Sequence, residues 1–232
     1  MNYYRIAQSK YKKAVRITKL LRYVPCVKAI AVCNSLSYNQ AGEWSDIDLF
    51  IITEVKRVWA VRFFVILLLK ILALRPNLKD MEVEGSRNKI CVSFFISEDN
   101  LNLEKYKISV QDPYLAFWIK QLKPLYIEDD VYKKFVHANK WILIDQKYHD
   151  REQRIYLSNY KRRVRKSIWK NPLDRLAIVV DERIYKYIQL IVMPKQLKRA
   201  ACGMDPQVIM SDTILKLHFP DQRLILNKTC GG

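Results

Sequence analysis

Residues 27 to 53 constrain the fold of this chain more than any other stretch. Val27 to Val32 is an apolar run of strand length, Asn34 and Ser35 follow as a small polar turn, and a short connector leads to Asp46-Ile47-Asp48 and a second apolar run, Leu49 to Ile52. Short apolar runs bounded by turn residues read as strands buried in a sheet. The two acids therefore stand at the edge of a core. In a strand the side-chain period is two, so Asp46 and Asp48 are expected on one face, close enough to share a divalent cation.

Carboxylates so placed suit Mg²⁺, which takes hard oxygen ligands, one or two of them from protein, and leaves the rest to water and phosphates; Mn²⁺ accepts the same donors. The turn at Asn34 and Ser35, leading from a strand into a helix start, would present N–H groups and a hydroxyl to an anion. The spacing thus predicts a phosphate beside Asn34 and Ser35 and a cation beside it at Asp46 and Asp48. The bland alternative is a pair of solvated, inert acids at a strand start.

This arrangement resembles the nucleotidyltransferase superfamily that includes DNA polymerase beta, whose signature is a hydrophobic strand, Gly-Ser, a connector and Asp-hydrophobic-Asp. Cys33-Asn34-Ser35 stands where Gly-Ser is expected and Ser45-Asp46-Ile47-Asp48-Leu49 matches the second half. Asn34 replaces glycine, and asparagine tolerates the left-handed backbone better than other side chains. The resemblance covers roughly residues 10 to 100. It implies catalytic, metal-binding Asp46 and Asp48, nucleotide contacts at Asn34, Ser35 and Ser45, and a nucleoside triphosphate such as ATP as substrate.

The resemblance also implies a third carboxylate on a later strand. The next apolar strand is Ile90 to Ser97, whose alternation predicts Ile90, Val92, Phe94 and Ile96 on one face and Cys91, Ser93, Phe95 and Ser97 on the other. It contains no acid. Ser93 aligns with the missing position, and a serine hydroxyl is neither a good Mg²⁺ ligand nor a base at neutral pH. Glu98 and Asp99 at the strand end are the available substitutes.

Around this core the first half alternates helix, strand, connector, strand, helix and strand, predicting an α+β (α/β-like) domain with a small mixed sheet over 1–110. Residues 111–232 read as a mostly helical C-terminal region. Asp112-Pro113 and Asn171-Pro172 are helix starts, with Pro124 and Pro194 closing the segments. Leu176, Val180, Ile184, Ile188 and Ile191 recur at helical spacing and predict a buried face. Tyr114, Phe117 and Trp118 read as packing against the sheet rather than as a stacking platform for bases.

The run Val58 to Leu74, broken by Arg62 and Lys70, reads as a helix covering the sheet rather than a membrane span. The N-terminal lysines alternate with Val15, Ile17, Leu20 and Leu21 in an amphipathic helical pattern unlike a secretory signal. Five scattered cysteines with no C-x-x-C spacing read as reduced packing residues, which points to a cytoplasmic protein.

With 41 Lys and Arg against 23 Asp and Glu, the 232-residue chain carries +18. Such a balance favours a polyanionic partner, RNA among them. The cluster Lys161 to Lys166, flanked by Tyr156, Tyr160 and Trp169, is the candidate surface, against a solvated helix face as the alternative. The terminal Gly231-Gly232 reads as a plain chain end. The expected function is transfer of a nucleoside monophosphate to a hydroxyl of RNA, protein or a small molecule. The alternative is a catalytically impaired relative serving as a basic nucleic-acid-binding or scaffold module.

Overall fold

The computed structural model describes residues 3–75, 87–110, 112–143, 180–202 and 208–217. The fold is α+β. Helix α1 (Tyr3–Leu21) leads into strand β1 (Val27–Val32), a four-residue helix α2 (Asn34–Ser37), β2 (Ile47–Thr53), α3 (Val58–Ile71) and β3 (Ile90–Ser97). Then follow α4 (Pro113–Gln121), β4 (Lys123–Ile127), α5 (Val131–Ala138), α6 (Glu182–Val192), α7 (Lys195–Cys202), β5 (Ile209–Met210) and β6 (Ile214–Lys216).

The strands form one mixed sheet in the order β4-β1-β2-β3-β6-β5. β1 is antiparallel to both β2 and β4, and β6 is antiparallel to β3 and β5. β2 and β3 are parallel. A parallel pair needs a crossover, and α3 supplies it, its apolar run placed where the sequence predicts a helix over the sheet. β2 sits at the centre of the sheet and is buried along its whole length.

Each sheet face has its own core. Val27, Ile30, Leu49, Ile51 and Phe95 pack beneath α1, α3 and α6. Ala29, Ala31, Phe50, Phe94 and Ile96 meet Trp118 and Phe135 from α4 and α5. There Phe50 makes edge contacts with Phe94 and Trp118, while Phe94 stacks on Trp118 with centroids 5.0 Å apart. The expected packing role of Trp118 is therefore met.

Several local expectations are corrected. The alternation in β3 breaks because Asp48 pairs with Cys91 but Phe50 pairs with Phe94, so β3 holds one extra residue. A bulge of this kind switches the faces that follow it. Val92 and Phe95 thus share the α1–α3 face while Phe94 and Ile96 turn to the other. Pro124 does stand after α4 but lies inside β4, an edge strand, where a missing N–H is tolerated.

The isoleucine face expected to be buried is also corrected. In α6 the buried residues are Tyr185 and Gln189, whereas Ile184, Ile188 and Ile191 are exposed. Polar anchors turn the helix. Glu182 accepts from the Trp59 and Ala60 N–H groups at the start of α3, and Gln189 bonds Arg62 Nη1 at 2.6 Å and the Trp59 carbonyl at 2.7 Å. Asp181 caps this helix by accepting from Arg183 N at 2.8 Å. Leu176, the Asn171-Pro172 start, Lys161 to Lys166 with their aromatics, and Gly231-Gly232 lie outside the described residues.

In α1 the buried face runs through Ala7, Lys10, Ala14, Ile17, Thr18 and Leu21, so Lys10 points inward while Leu20 is exposed. No helix among the described residues is long and apolar enough to cross a membrane.

Candidate metal and phosphate site

The site lies where β1 ends and β2 begins, on the α4–α5 face of the sheet. The turn after β1 is tied to β2 by the Cys33 N–H, which donates to the Asp48 carbonyl at 3.1 Å. Asn34 then takes φ 53°, the left-handed conformation that the glycine of the resembled motif would adopt without cost. Its side chain helps to hold it there, because Asn34 Oδ1 accepts from Trp118 Nε1 at 2.8 Å. Sequence and backbone agree at this residue for a physical reason: asparagine is the least strained non-glycine choice.

These elements frame a cavity of about 270 Å³ lined by Asn34, Ser35, Ser45, Asp46, Asp48 and Ser93, among others. All five predicted site residues therefore face one cavity. Tyr38, Tyr114 and Trp118 supply an aromatic wall, and Lys216 comes in from β6.

Asp48 is buried, and its Oδ1 has no hydrogen-bond partner among the described residues. Burial, with the neighbouring Asp46 charge adding to it, pushes the Asp48 carboxyl up to about 7, while hydrogen bonds involving Asn34 and Cys91 pull the other way. An orphaned buried oxygen on one of two adjacent carboxylates is costly unless something positive answers it. Taken by themselves, the two carboxylates suit a hard divalent cation such as Mg²⁺ or Mn²⁺.

Lys10 supports the connector. Its ammonium donates to the Ser45 carbonyl, to Ser45 Oγ at 3.1 Å and to the Glu43 carbonyl at 3.1 Å. Ser45 Oγ itself donates to the Gly42 carbonyl at 2.9 Å. The Ser45 hydroxyl thus braces the loop that delivers Asp46 even as the residue lines the cavity. Burial lowers the Lys10 ammonium below its usual value, opposed by Asp46 and Glu43.

The suggested substitutes for a third acid do not reach. Glu98 stands seven residues beyond Cys91, roughly 23 Å along a strand, and pairs with Lys134 at 3.1 Å. Neither Glu98 nor Asp99 lines the cavity. Instead a carboxylate oxygen of Asp46, one of Asp48 and Cys91 Sγ lie within 4.8 Å of one another. Burial, followed by the Asp48 and Asp46 charges, pushes the Cys91 thiol well up.

Cys91 and Lys216 are the residues that sequence reasoning missed. Cys91 reads as packing until the register with Asp48 is known. Lys216 carried a faint signal, a cation inside the apolar run Ile214 to Leu217. No family model matches this sequence, and no curated protein matches it.

Proposed function

We propose that the protein is a nucleotidyltransferase that moves a nucleoside monophosphate from a Mg²⁺-bound (or Mn²⁺-bound) nucleoside triphosphate to a hydroxyl acceptor. One observation carries the reading: a buried carboxylate with an orphaned oxygen, Asp48, shares a cavity with Asp46 and with the left-handed Asn34 turn. The order strand, Asn-Ser turn, connector, Asp-x-Asp strand supports it further.

In this reading Asp46 and Asp48 hold the cation, which when bound would neutralise phosphate charge and align the reacting oxygens. Asn34 and Ser35 orient the β- and γ-phosphates, with Ser45 keeping the connector in place. Lys216 adds a positive charge from the far wall, where charge develops on the leaving pyrophosphate. Tyr114 and Trp118 border the space open to a base. The acceptor oxygen bonds to the α-phosphorus, pyrophosphate leaves with the electrons of the broken P–O bond, and the hydroxyl proton goes to water.

The net charge of +18 favours an RNA acceptor over a small molecule. Cys33 and Cys91 are free thiols, in keeping with a cytoplasmic setting. The test is label transfer from α-labelled ATP, CTP, GTP or UTP, with Mg²⁺, onto total RNA and lysate proteins. Wild type should transfer label and Asp46→Ala/Asp48→Ala should not. Label moved equally by both would exclude the site.

A second reading rests on the absence of any acid from Ile90–Ser97. A module that has lost catalysis would bind RNA through its basic charge without moving label, and the same double variant would bind as wild type does.

A further inference from the structure

We propose that Cys91 is the third ligand of the cation site and that it turns this site toward thiophilic divalent metals of the Zn²⁺, Co²⁺ and Cd²⁺ class and away from Mg²⁺. The inference rests on the proposed function for the two carboxylates and departs from it in the metal. The bulge in β3 brings it about: the register sets Cys91 directly beside Asp48, and the extra residue follows.

The geometry is close to a ligand set. The Asp46, Asp48 and Cys91 ligand atoms lie within 4.8 Å of one another. In a tetrahedral zinc site with Zn–S and Zn–O bonds of standard length, ligand atoms stand about 3.4–3.6 Å apart. Cation binding would draw these atoms closer by up to about 1.4 Å. Asp48 Oδ1, buried and unpartnered, is the independent sign that something cationic is meant to sit here. Ser93, aligned with the position where an acid is missing, lines the same cavity.

Ligand softness then selects the metal. Thiolate sulfur favours zinc and its relatives, whereas Mg²⁺ demands oxygen and gains little from sulfur. Asp46 and Asp48 line the cavity and Cys91 stands beside them; three protein ligands would leave one position for water or substrate, as catalytic rather than structural zinc sites do. Binding would release the thiol proton to solvent as the metal–sulfur bond forms.

The experiment uses the full chain, stripped with chelator and titrated with Co²⁺ or Cd²⁺ in a large excess of Mg²⁺. Thiolate-to-metal charge-transfer absorption is expected at one equivalent. It should vanish in Cys91→Ser and persist in Cys33→Ser, whose residue flanks Asp48 from the opposite strand. Cys91→Asp should also lose the absorption and should bind Mg²⁺ at least about tenfold more tightly than wild type.

Absorption that survives Cys91→Ser, absorption abolished by the Mg²⁺ excess, or unchanged Mg²⁺ affinity in Cys91→Asp would each overturn the proposal. The two readings fail separately. The charge-transfer signature without label transfer leaves the metal site and removes the transferase. Mg²⁺-driven label transfer indifferent to Cys91→Ser does the reverse.

Discussion

Two carboxylates on opposite faces of the same sheet, the half-buried Glu182 and the buried Asp48, are treated in opposite ways. At the junction of α3 and α6, Glu182 meets the Trp59 and Ala60 N–H groups, so its oxygens answer donors that the first turn of α3 cannot satisfy internally. At the start of β2, Asp48 keeps an oxygen with no partner. Burial raises both carboxyls, and hydrogen bonds work against it at both, from the backbone at Glu182 and from the Asn34 and Cys91 side chains at Asp48. A carboxylate that closes its own hydrogen bonds is holding the fold together. One that is left open in a cavity is available to a ligand.

The largest effect should come from exchanging the two roles. Asp48→Asn is expected to lower label transfer on the order of 10²–10³-fold, the scale of losing one preorganised electrostatic group, while leaving the melting temperature at pH 8 unchanged or higher. Glu182→Gln should do the opposite: transfer is kept and stability falls by about 1–3 kcal/mol, the scale of buried donors losing a charged acceptor. Urea unfolding and transfer assays on both variants measure it. A Glu182→Gln protein as stable as wild type would erase the contrast.

A smaller effect concerns pH. The folded Asp48 carboxyl titrates at about 7, above its unfolded value of about 4. The sign is that of a raised group: its contribution to stability is fully present below the unfolded value and is lost as pH rises through about 7. Chelated wild type should therefore lose stability between pH 5 and pH 8 more than Asp48→Asn does, and a bound divalent cation should flatten the difference. Parallel slopes for the two proteins in chelator would refute the orphaned-charge account.

The smallest effect should come from the surface. Lys134 and Glu98 form an exposed pair at 3.1 Å, remote from the cavity. Glu98→Gln should change stability by no more than about 1 kcal/mol and leave transfer intact. A large loss of transfer would return Glu98 to the site from which the geometry removes it.

Much of the site was legible before any fold was known because it depends on local rules. Asp48 lies in β2 and Asp46 just before its start, and both line the cavity although strand period covers only the first of them; Asn34 marks a left-handed turn by its own tolerance of it. The run Val58 to Leu74 announces a covering helix by its hydropathy. The side chains that failed the forecast failed through contacts distant in sequence. Lys10 looks solvated until Ser45, 35 residues away, takes its ammonium. Ile184, Ile188 and Ile191 look like core until Glu182 and Gln189 find α3.

Side-chain period and backbone preference act within a few residues, so the pair of apolar strands, the turn between them and the two acids around the second strand's start could be read from the chain alone. The fold alone brings Cys91 beside those acids, through a bulged register with β3, and sets Lys216 of β6 in the wall of the same cavity. Register and strand order depend on how whole strands bury their faces together, and no local pattern encodes that choice.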